Sequence, residues 1–211
     1  MSHLSRPSAH ALVAECIGTC MLTCLVLLSL GKTLPLPTPV IAALVVGICV
    51  YTVGGISGAH VNPAVTVGLL SIRKITPVQA VGYIVAQLIG AAVAMFIAGW
   101  LLGSLPAAAP TDAITVLVGE ALGAFLLVFG VSAVVHGSVP PEASGIAIGG
   151  SLLLGILLAS SVGNGVVNPA VAVGIGSLSI SYVLGPLIGG VLAAQAYQWL
   201  MQKPAHTEPH A

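Results

Sequence analysis

The fold of this chain is decided by a stretch that occurs twice, as Val61-Asn62-Pro63-Ala64-Val65 and, 106 residues later, as Val167-Asn168-Pro169-Ala170-Val171. Asn is a preferred helix N-cap, and Pro is favoured at the first helical position because its missing N–H is not needed there. Each copy therefore predicts the start of a helix, at about 63–70 and 169–176. Such a helix has roughly two turns and a length of ~12 Å, too short to cross a membrane alone.

Two more landmarks recur around these copies. The stretch Ala14–Gly18 resembles Gly119–Gly123 at an offset of 105 residues, and Leu88–Gly90 matches Leu187–Gly189 at an offset of 99 residues. Three landmarks in one order predict an internal repeat. We expect a single domain, residues 1–211, built from repeats at about 9–102 and 113–202, with a polar and disordered tail at 203–211.

The composition indicates a membrane protein. Of 211 residues, 57% are apolar and 5% are charged, whereas a soluble domain is about a quarter charged. Six apolar stretches are long enough to span a bilayer. They lie at about 9–30, 39–56, 77–102, 113–135, 143–161 and 181–202. The predicted class is an all-α, multi-pass protein of a cell or inner membrane, and a net charge of zero argues against nucleic acid as a partner.

Three spans per repeat is an odd number, so the second repeat must enter the membrane upside down relative to the first. The sparse positive charge predicts the orientation. With both termini cytoplasmic, Arg6, Arg73, Lys74 and Lys203 lie inside and only Lys32 lies outside.

An inverted repeat brings one short helix in from each side, so that their N-termini meet near the midplane. Each N-terminus carries partial positive charge, and non-helical backbone at that depth must be buried in protein or line a watery cavity. The preceding loops, 54–58 and 163–165, are glycine-rich. We expect a narrow pore in which the amides of Asn62 and Asn168 donate to one passing water, so that no proton-conducting chain of waters forms, while the helix ends repel cations.

The segment Ile56–Thr66 resembles the first signature of the major intrinsic protein (aquaporin) family. Ala14–Thr19 is similar to the first-span motif of that family, and Gly185–Gly190 to its last span. The resemblance implies six membrane helices with two re-entrant half-helices, a homotetramer, and one passive pore per subunit for water and small neutral solutes. The pore motifs it implies are Asn62, Pro63, Ala64, Asn168, Pro169 and Ala170.

The chain departs from the family after the second Asn-Pro-Ala. The family normally has Arg there, at the narrowest constriction, and its glycerol branch has Arg-Asp, whereas this chain has Val171-Ala172. The resemblance places the other filter positions at Ala42, Ile156 and Gly165. This filter would be apolar and wide, which predicts water passage with poor size selectivity, so that glycerol, urea or neutral metalloid hydroxides also pass.

Four polar residues are predicted to support the loops. Glu15 and Glu120 are symmetry mates within spans, where a carboxyl group is costly without partners. By resemblance they accept hydrogen bonds from the re-entrant loops, the alternative being a proton relay. For His60 the alternatives are a loop-stabilising hydrogen bond and pH gating, and Gln87 is expected to bond to loop backbone.

Rival interpretations are a secondary transporter, which would also have an inverted repeat, and a structural membrane protein that does not conduct. We find no nucleophile–base pair or metal constellation, so we expect no enzyme activity, no cofactor and no metal. Cys16, Cys20 and Cys24 line one helical stripe, which indicates packing rather than a thiolate metal site, and no disulfide is indicated. The sequence leaves the physiological solute, proton exclusion and gating open.

Overall fold

The computed structural model describes residues 6–202. The polar tail at 203–211, with Lys203 of the orientation argument, lies outside the described residues. The described chain forms eight α-helices and a short 3-10 turn at Pro141–Ala143. The helices are α1 (Ala9–Gly31), α2 (Thr38–Ser57), α3 (Pro63–Ser71), α4 (Pro77–Leu102), α5 (Ile114–Val135), α6 (Ser144–Ala159), α7 (Pro169–Gly174) and α8 (Ile180–Leu200).

The predicted fold class is confirmed. Six helical segments are long and apolar enough to cross a membrane, the fifth being α6 together with the 3-10 turn before it, Pro141–Ala159. The two short helices begin at Pro63 and Pro169, and residues 6–202 contain no strand. One boundary differs from the prediction, because α7 ends at Gly174 rather than at about Gly176. The backbone of Gly176 is left-handed, with φ of 76°, which ends helical geometry.

Close helix contacts occur at equivalent glycines of the two repeats. In the first, Gly90 of α4 lies against the backbone of Cys16 and Cys20 on α1; in the second, Gly189 of α8 lies against the carbonyl of Ala121 on α5. A Cβ at either glycine would collide with that backbone. The spacing Gly185-x-x-x-Gly189 therefore permits close packing of α8 on α5.

The half-helices pack across the repeats. Helix α3 of the first repeat contacts α8, and α7 of the second repeat contacts α4. The outward faces of the long helices remain apolar, and Phe96 and Trp100 are each 79% exposed. Such a surface suits lipid, while the buried carboxylates of Glu15 and Glu120 bond to the loops that precede α3 and α7.

Candidate pore between the two half-helices

Both half-helices begin as the Asn-Pro pattern predicts. Asn62 has extended backbone and its Oδ1 accepts from the Ala64 nitrogen at 2.8 Å. Asn168 does the same for the Ala170 nitrogen at 3.0 Å. Because the side-chain oxygen of each Asn caps the helix that follows it, the NH₂ group of the same side chain points away from that helix.

Each NH₂ group reaches the opposite repeat. Asn62 Nδ2 donates to the carbonyl of Val167 at 2.9 Å, and Asn168 Nδ2 donates to the carbonyl of Val61 at 3.0 Å. A primary amide has two N–H donors, so each Asn retains one. The reciprocal pair joins the two re-entrant loops at the centre of the bundle and leaves one N–H of each Asn for the space beside it.

Val61 and Val167 have left-handed backbone, with φ of 41° and 58°. This conformation is unfavourable for a β-branched residue and costs about 1–3 kcal/mol. It persists because both polar backbone groups of each valine are bonded. The N–H of Val61 donates to Glu15 at 2.7 Å and that of Val167 to Glu120 at 2.5 Å, while their carbonyls accept from the two Asn amides.

Glu15 is completely buried and accepts four hydrogen bonds. Its donors are the Ser57 hydroxyl at 2.6 Å, the His60 nitrogen at 2.9 Å, the Val61 nitrogen at 2.7 Å and Gln87 Nε2 at 2.8 Å. Gln87 supports the loop indirectly, because its Nε2 donates to the side chain of Glu15, which holds the loop, and to Thr66 Oγ1 at 3.1 Å. Within residues 6–202, the expected bond from Gln87 to loop backbone is not formed.

Glu120 has a simpler set of partners. It accepts from the nitrogens of Val166 and Val167, at 2.8 Å and 2.5 Å. Pro186 stands at the position equivalent to Gln87, and Pro has no side-chain donor. Glu15 therefore accepts from two side chains, those of Ser57 and Gln87, whereas both of these donors to Glu120 are backbone nitrogens.

His60 lies beside the cavity but its ring is fixed. Its Nδ1 is 3.1 Å from Thr66 Oγ1, and its ring meets that of Tyr83 edge-on with centroids 5.0 Å apart. The residue as a whole is buried, with 5% of its surface exposed. These contacts provide the loop-stabilising bond; pH gating stays a prediction.

Two buried tyrosines anchor the loops, and the sequence reasoning above did not identify them. The Tyr83 hydroxyl donates to the Ser57 carbonyl at 2.8 Å, and the Tyr182 hydroxyl accepts from the Asn164 nitrogen at 2.8 Å. The sequence contains a signal for them, because Tyr83 and Tyr182 are 99 residues apart. The Leu-Ile-Gly landmark that follows each tyrosine repeats at the same offset.

A cavity of about 270 Å³ runs beside the joined loops. Asn62, Asn168 and His60 line it, and so do the four predicted filter residues, Ala42, Ile156, Gly165 and Val171. Residues of α1, α2, α5 and α6 complete a mostly apolar wall: Leu22, Val26, Leu30, Val46, Leu127, Val131, Ile148 and Leu152. The role of the four as a filter stays a prediction, although the structure brings them to one cavity.

The rim of the cavity near the loop between α4 and α5 contains polar groups that the sequence reasoning also missed. Asn164 Nδ2 donates to the carbonyl of Ala109 at 3.1 Å and to Ser177 Oγ at 2.9 Å, and the Ser177 hydroxyl donates to the carbonyl of Ala108 at 2.6 Å. These bonds hold the loop between α4 and α5 against the cavity, whose wall includes Ala108, Asn164 and Ser160.

The cysteines lie apart from this cavity. All four are free thiols, and none of them lines it. Within residues 6–202, no group of three His, Cys, Asp or Glu side chains is placed to hold a metal ion.

Comparison with known proteins gives a consistent result. A family model described as Major intrinsic protein matches residues 3–197. Aquaporin AqpM of Methanothermobacter marburgensis is 34% identical over 174 residues, which cover 72% of this chain and 71% of that protein. Glycerol uptake facilitator protein-like 6 of Lactiplantibacillus plantarum is also 34% identical, over 86% of this chain and 94% of its own.

A solved structure has a similar fold. The X-ray structure of the aquaglyceroporin from Plasmodium falciparum superposes with a TM-score of 0.65 and covers 89% of this chain and 94% of its own. Its sequence identity is 21%, so the likeness concerns the arrangement of the helices.

Proposed function

The chain belongs to the major intrinsic protein family and is a passive channel for water and small solutes, and we propose that its path is the cavity beside Asn62 and Asn168. The observation that carries this is the reciprocal bonding of the two Asn amides. Because each amide has spent one N–H on the opposite loop, one donor per Asn is available to a molecule in the cavity.

Two donors at one point orient a water molecule. A water that accepts from both Asn62 and Asn168 turns its own protons away from them, so it cannot relay a proton along a chain of waters. The N-terminal ends of α3 and α7 add partial positive charge at this point, and the apolar wall offers a cation no compensation. The centre of the pore would thus pass neutral molecules and oppose ions.

The outer part of the pore is proposed to be less selective. Three of its side chains, Ala42, Ile156 and Val171, are apolar, and no Arg stands after the second Asn-Pro-Ala. One strong donor and one cation barrier are therefore missing. We expect glycerol, urea or neutral metalloid hydroxides to pass as well as water; the names of the relatives include both aquaporins and a glycerol uptake facilitator.

The assembly and orientation are also proposals. The family resemblance supports a homotetramer with one pore in each subunit, embedded in the lipid of a cell or inner membrane. The distribution of positive residues supports cytoplasmic termini. The proposed partners are lipid, water and small neutral solutes, and nucleic acid is not expected as a partner.

The rival interpretations have less support. An ion-coupled transporter is disfavoured because, among residues 6–202, no ion-coupling carboxylate lies in the path: Glu15 and Glu120 do not line the cavity and are bonded to the loops. A non-conducting structural protein would not need a cavity along the centre. A saturable, ion-dependent flux would favour the transporter.

The deciding experiment is stopped-flow light scattering on vesicles containing the purified protein, with water, glycerol and urea measured separately. We expect water permeability well above that of protein-free vesicles, with a low activation energy and no dependence on ion gradients. Water permeability equal to that of empty vesicles, with correctly folded protein present, would overturn the proposed function. Flux of water alone would contradict only the wide filter.

A further inference from the structure

Gly165, one of the four predicted filter positions, lines the cavity without a side chain. Gly165 has left-handed backbone, with φ of 64°. A Cβ built on it would lie 2.8 Å from the carbonyl oxygen of Ile156 and 2.9 Å from the nitrogen of Ser160, and closer still to Ser160 Oγ. A side chain at residue 165 would thus point into the end of α6, and the space for its first atom is taken by the Ser160 hydroxyl.

Ser160 is well placed to act in the pore. Ser160 directly follows the last residue of α6, and its backbone N–H donates to the carbonyl of Ile156 at 2.8 Å, which makes the last helical hydrogen bond. Its side chain is exposed and lines the cavity together with Ile156, Gly165 and Val171. Among residues 6–202, no hydrogen bond joins the Ser160 hydroxyl to another group, whereas other serine hydroxyls at helix ends, such as that of Ser161, bond to nearby carbonyls.

A free hydroxyl matters at this point because Ala42, Ile156 and Val171 are apolar. The amide nitrogen of Asn164, which also lines the cavity, is already bonded to the Ala109 carbonyl and to Ser177. A neutral solute that leaves water loses hydrogen bonds, and each unmade bond slows its entry. The Ser160 hydroxyl can both donate and accept, so it can replace one such bond for a solute hydroxyl while Ala42, Ile156 and Val171 contact the carbon atoms.

We propose that the Ser160 hydroxyl is the side-chain group that determines the specificity of the outer constriction. It occupies the space that a side chain at residue 165 would take, and it favours neutral solutes carrying several hydroxyl groups. The inference rests on the proposed function, since it assumes that solutes cross this cavity. It assigns the polar contact to a residue outside the four predicted filter positions.

The test is a pair of variants with nearly the same shape. Ser160→Thr retains the hydroxyl and Ser160→Val replaces it with a methyl group. Glycerol and water permeabilities are measured for both in vesicles, and the ratio of glycerol to water is compared. One lost hydrogen bond corresponds to about a 2- to 10-fold change, so we expect the ratio for the Val variant to be lower than for the Thr variant by that factor.

Ser160→Ala covers the case in which the larger side chains do not fit. Its ratio should also fall, although the constriction becomes wider; a higher ratio would show that Ser160 acts only as an obstacle and would overturn the proposal. Ser161→Ala is the matched control, because the Ser161 hydroxyl bonds to Leu158 at 2.7 Å and faces an outer groove rather than the cavity. Its ratio should equal that of the wild type.

The outcomes separate the two claims. A wild-type protein without water flux would contradict the proposed function and this inference with it. A wild type that conducts water, with equal ratios in the Thr and Val variants and an unchanged ratio in the Ala variant, would contradict only the role of Ser160.

Discussion

The side-chain nitrogen of Asn62 lies 2.9 Å from the carbonyl oxygen of Val167, 105 residues away in the other repeat. The same bond in reverse joins Asn168 to Val61 at 3.0 Å. The pore centre therefore depends on both loops at once. The carboxylate of one repeat positions a valine whose carbonyl then fixes the Asn of the other repeat.

This dependence predicts different effects of two substitutions at Asn62. Asn62→Asp retains a good helix cap but loses the donors, whereas Asn62→Ala loses the cap as well. Both leave the buried Val167 carbonyl without its partner, at a cost of about 1–3 kcal/mol, and the Ala variant loses roughly 1 kcal/mol more. The Asp variant also buries a charge beside that carbonyl, so thermal unfolding in detergent should show both variants to be less stable than the wild type.

Equal stability of the Asp variant and the wild type would contradict a structural role for the bond between Asn62 and Val167. Proton flux in vesicles is a second measurement on the same proteins. A negative charge at the centre should attract cations, so the Asp variant should leak protons or cations more than the wild type does.

Replacing the buried carboxylates should destabilise both loops unequally. In Glu15→Gln and Glu120→Gln, the new amide NH₂ group faces a backbone N–H that donated to the carboxylate. Two donors then face each other, and each unsatisfied donor lowers the free energy of unfolding by about 1–3 kcal/mol. Glu15 accepts from four groups, including Ser57 and Gln87 side chains, so its variant should unfold at the lower temperature. Gln87→Leu, which removes one donor to Glu15, should have a smaller effect; a larger loss for Glu120→Gln would contradict this ranking.

Thiol reagents should not block the wild-type channel. None of the four cysteines lines the cavity, so a small charged methanethiosulfonate should leave water flux unchanged. Val171→Cys places a thiol on the cavity wall, and the reagent should then reduce flux by more than half. Block of the wild type would place a native cysteine in the path, and resistance of the Cys variant would remove Val171 from it.

An arginine at residue 171 should narrow the range of solutes. Val171 lines the cavity and is 4% exposed, so the longer Arg side chain must extend into the open space. It would reduce the width and add a cation barrier. Val171→Arg should lower glycerol and urea permeability relative to water, measured in the same vesicles. Val171→Met tests length without charge, and unchanged glycerol flux in the Arg variant would count against a filter position here.

The loop between α4 and α5 should stay anchored in mild acid. Asp112 is exposed and accepts from the Ser181 nitrogen at 3.0 Å and from the Ser181 hydroxyl at 2.5 Å. The hydroxyl bond, followed by the backbone bond, lowers the pKa of Asp112. A depressed folded-state pKa means that the stabilisation is complete above the unfolded value, about 3.9, and is lost as the pH falls through the folded value.

Hydrogen exchange of residues 103–113 should therefore be constant from pH 8 to pH 5 after correction for the intrinsic rate. Asp112→Asn should raise exchange there at every pH in that range, because the charge that strengthens the bonds is gone. Faster exchange in the wild type between pH 6 and pH 5 would contradict this anchor.

Much of the fold was predictable because its signals are local. The N-cap Asn and the Pro that follows it mark the starts of α3 and α7, and stretches of about 20 apolar residues predict the six spans. The end of α7 was predicted two residues too late, since Val173, Gly174 and Ile175 continue an apolar pattern that does not show where the backbone turns.

The contacts that build the pore depended on the tertiary structure. That Glu15 accepts four bonds, that Tyr83 and Tyr182 tie down the loops, and that Ser160 fills the space beside Gly165 all require segments to approach closely in three dimensions. Sequence alone determined where helices start and which segments enter lipid, because capping and hydropathy act over a few residues or one span. Only the folded chain decided which donor meets which acceptor, because these partners come from different helices and loops and meet only when both repeats are packed.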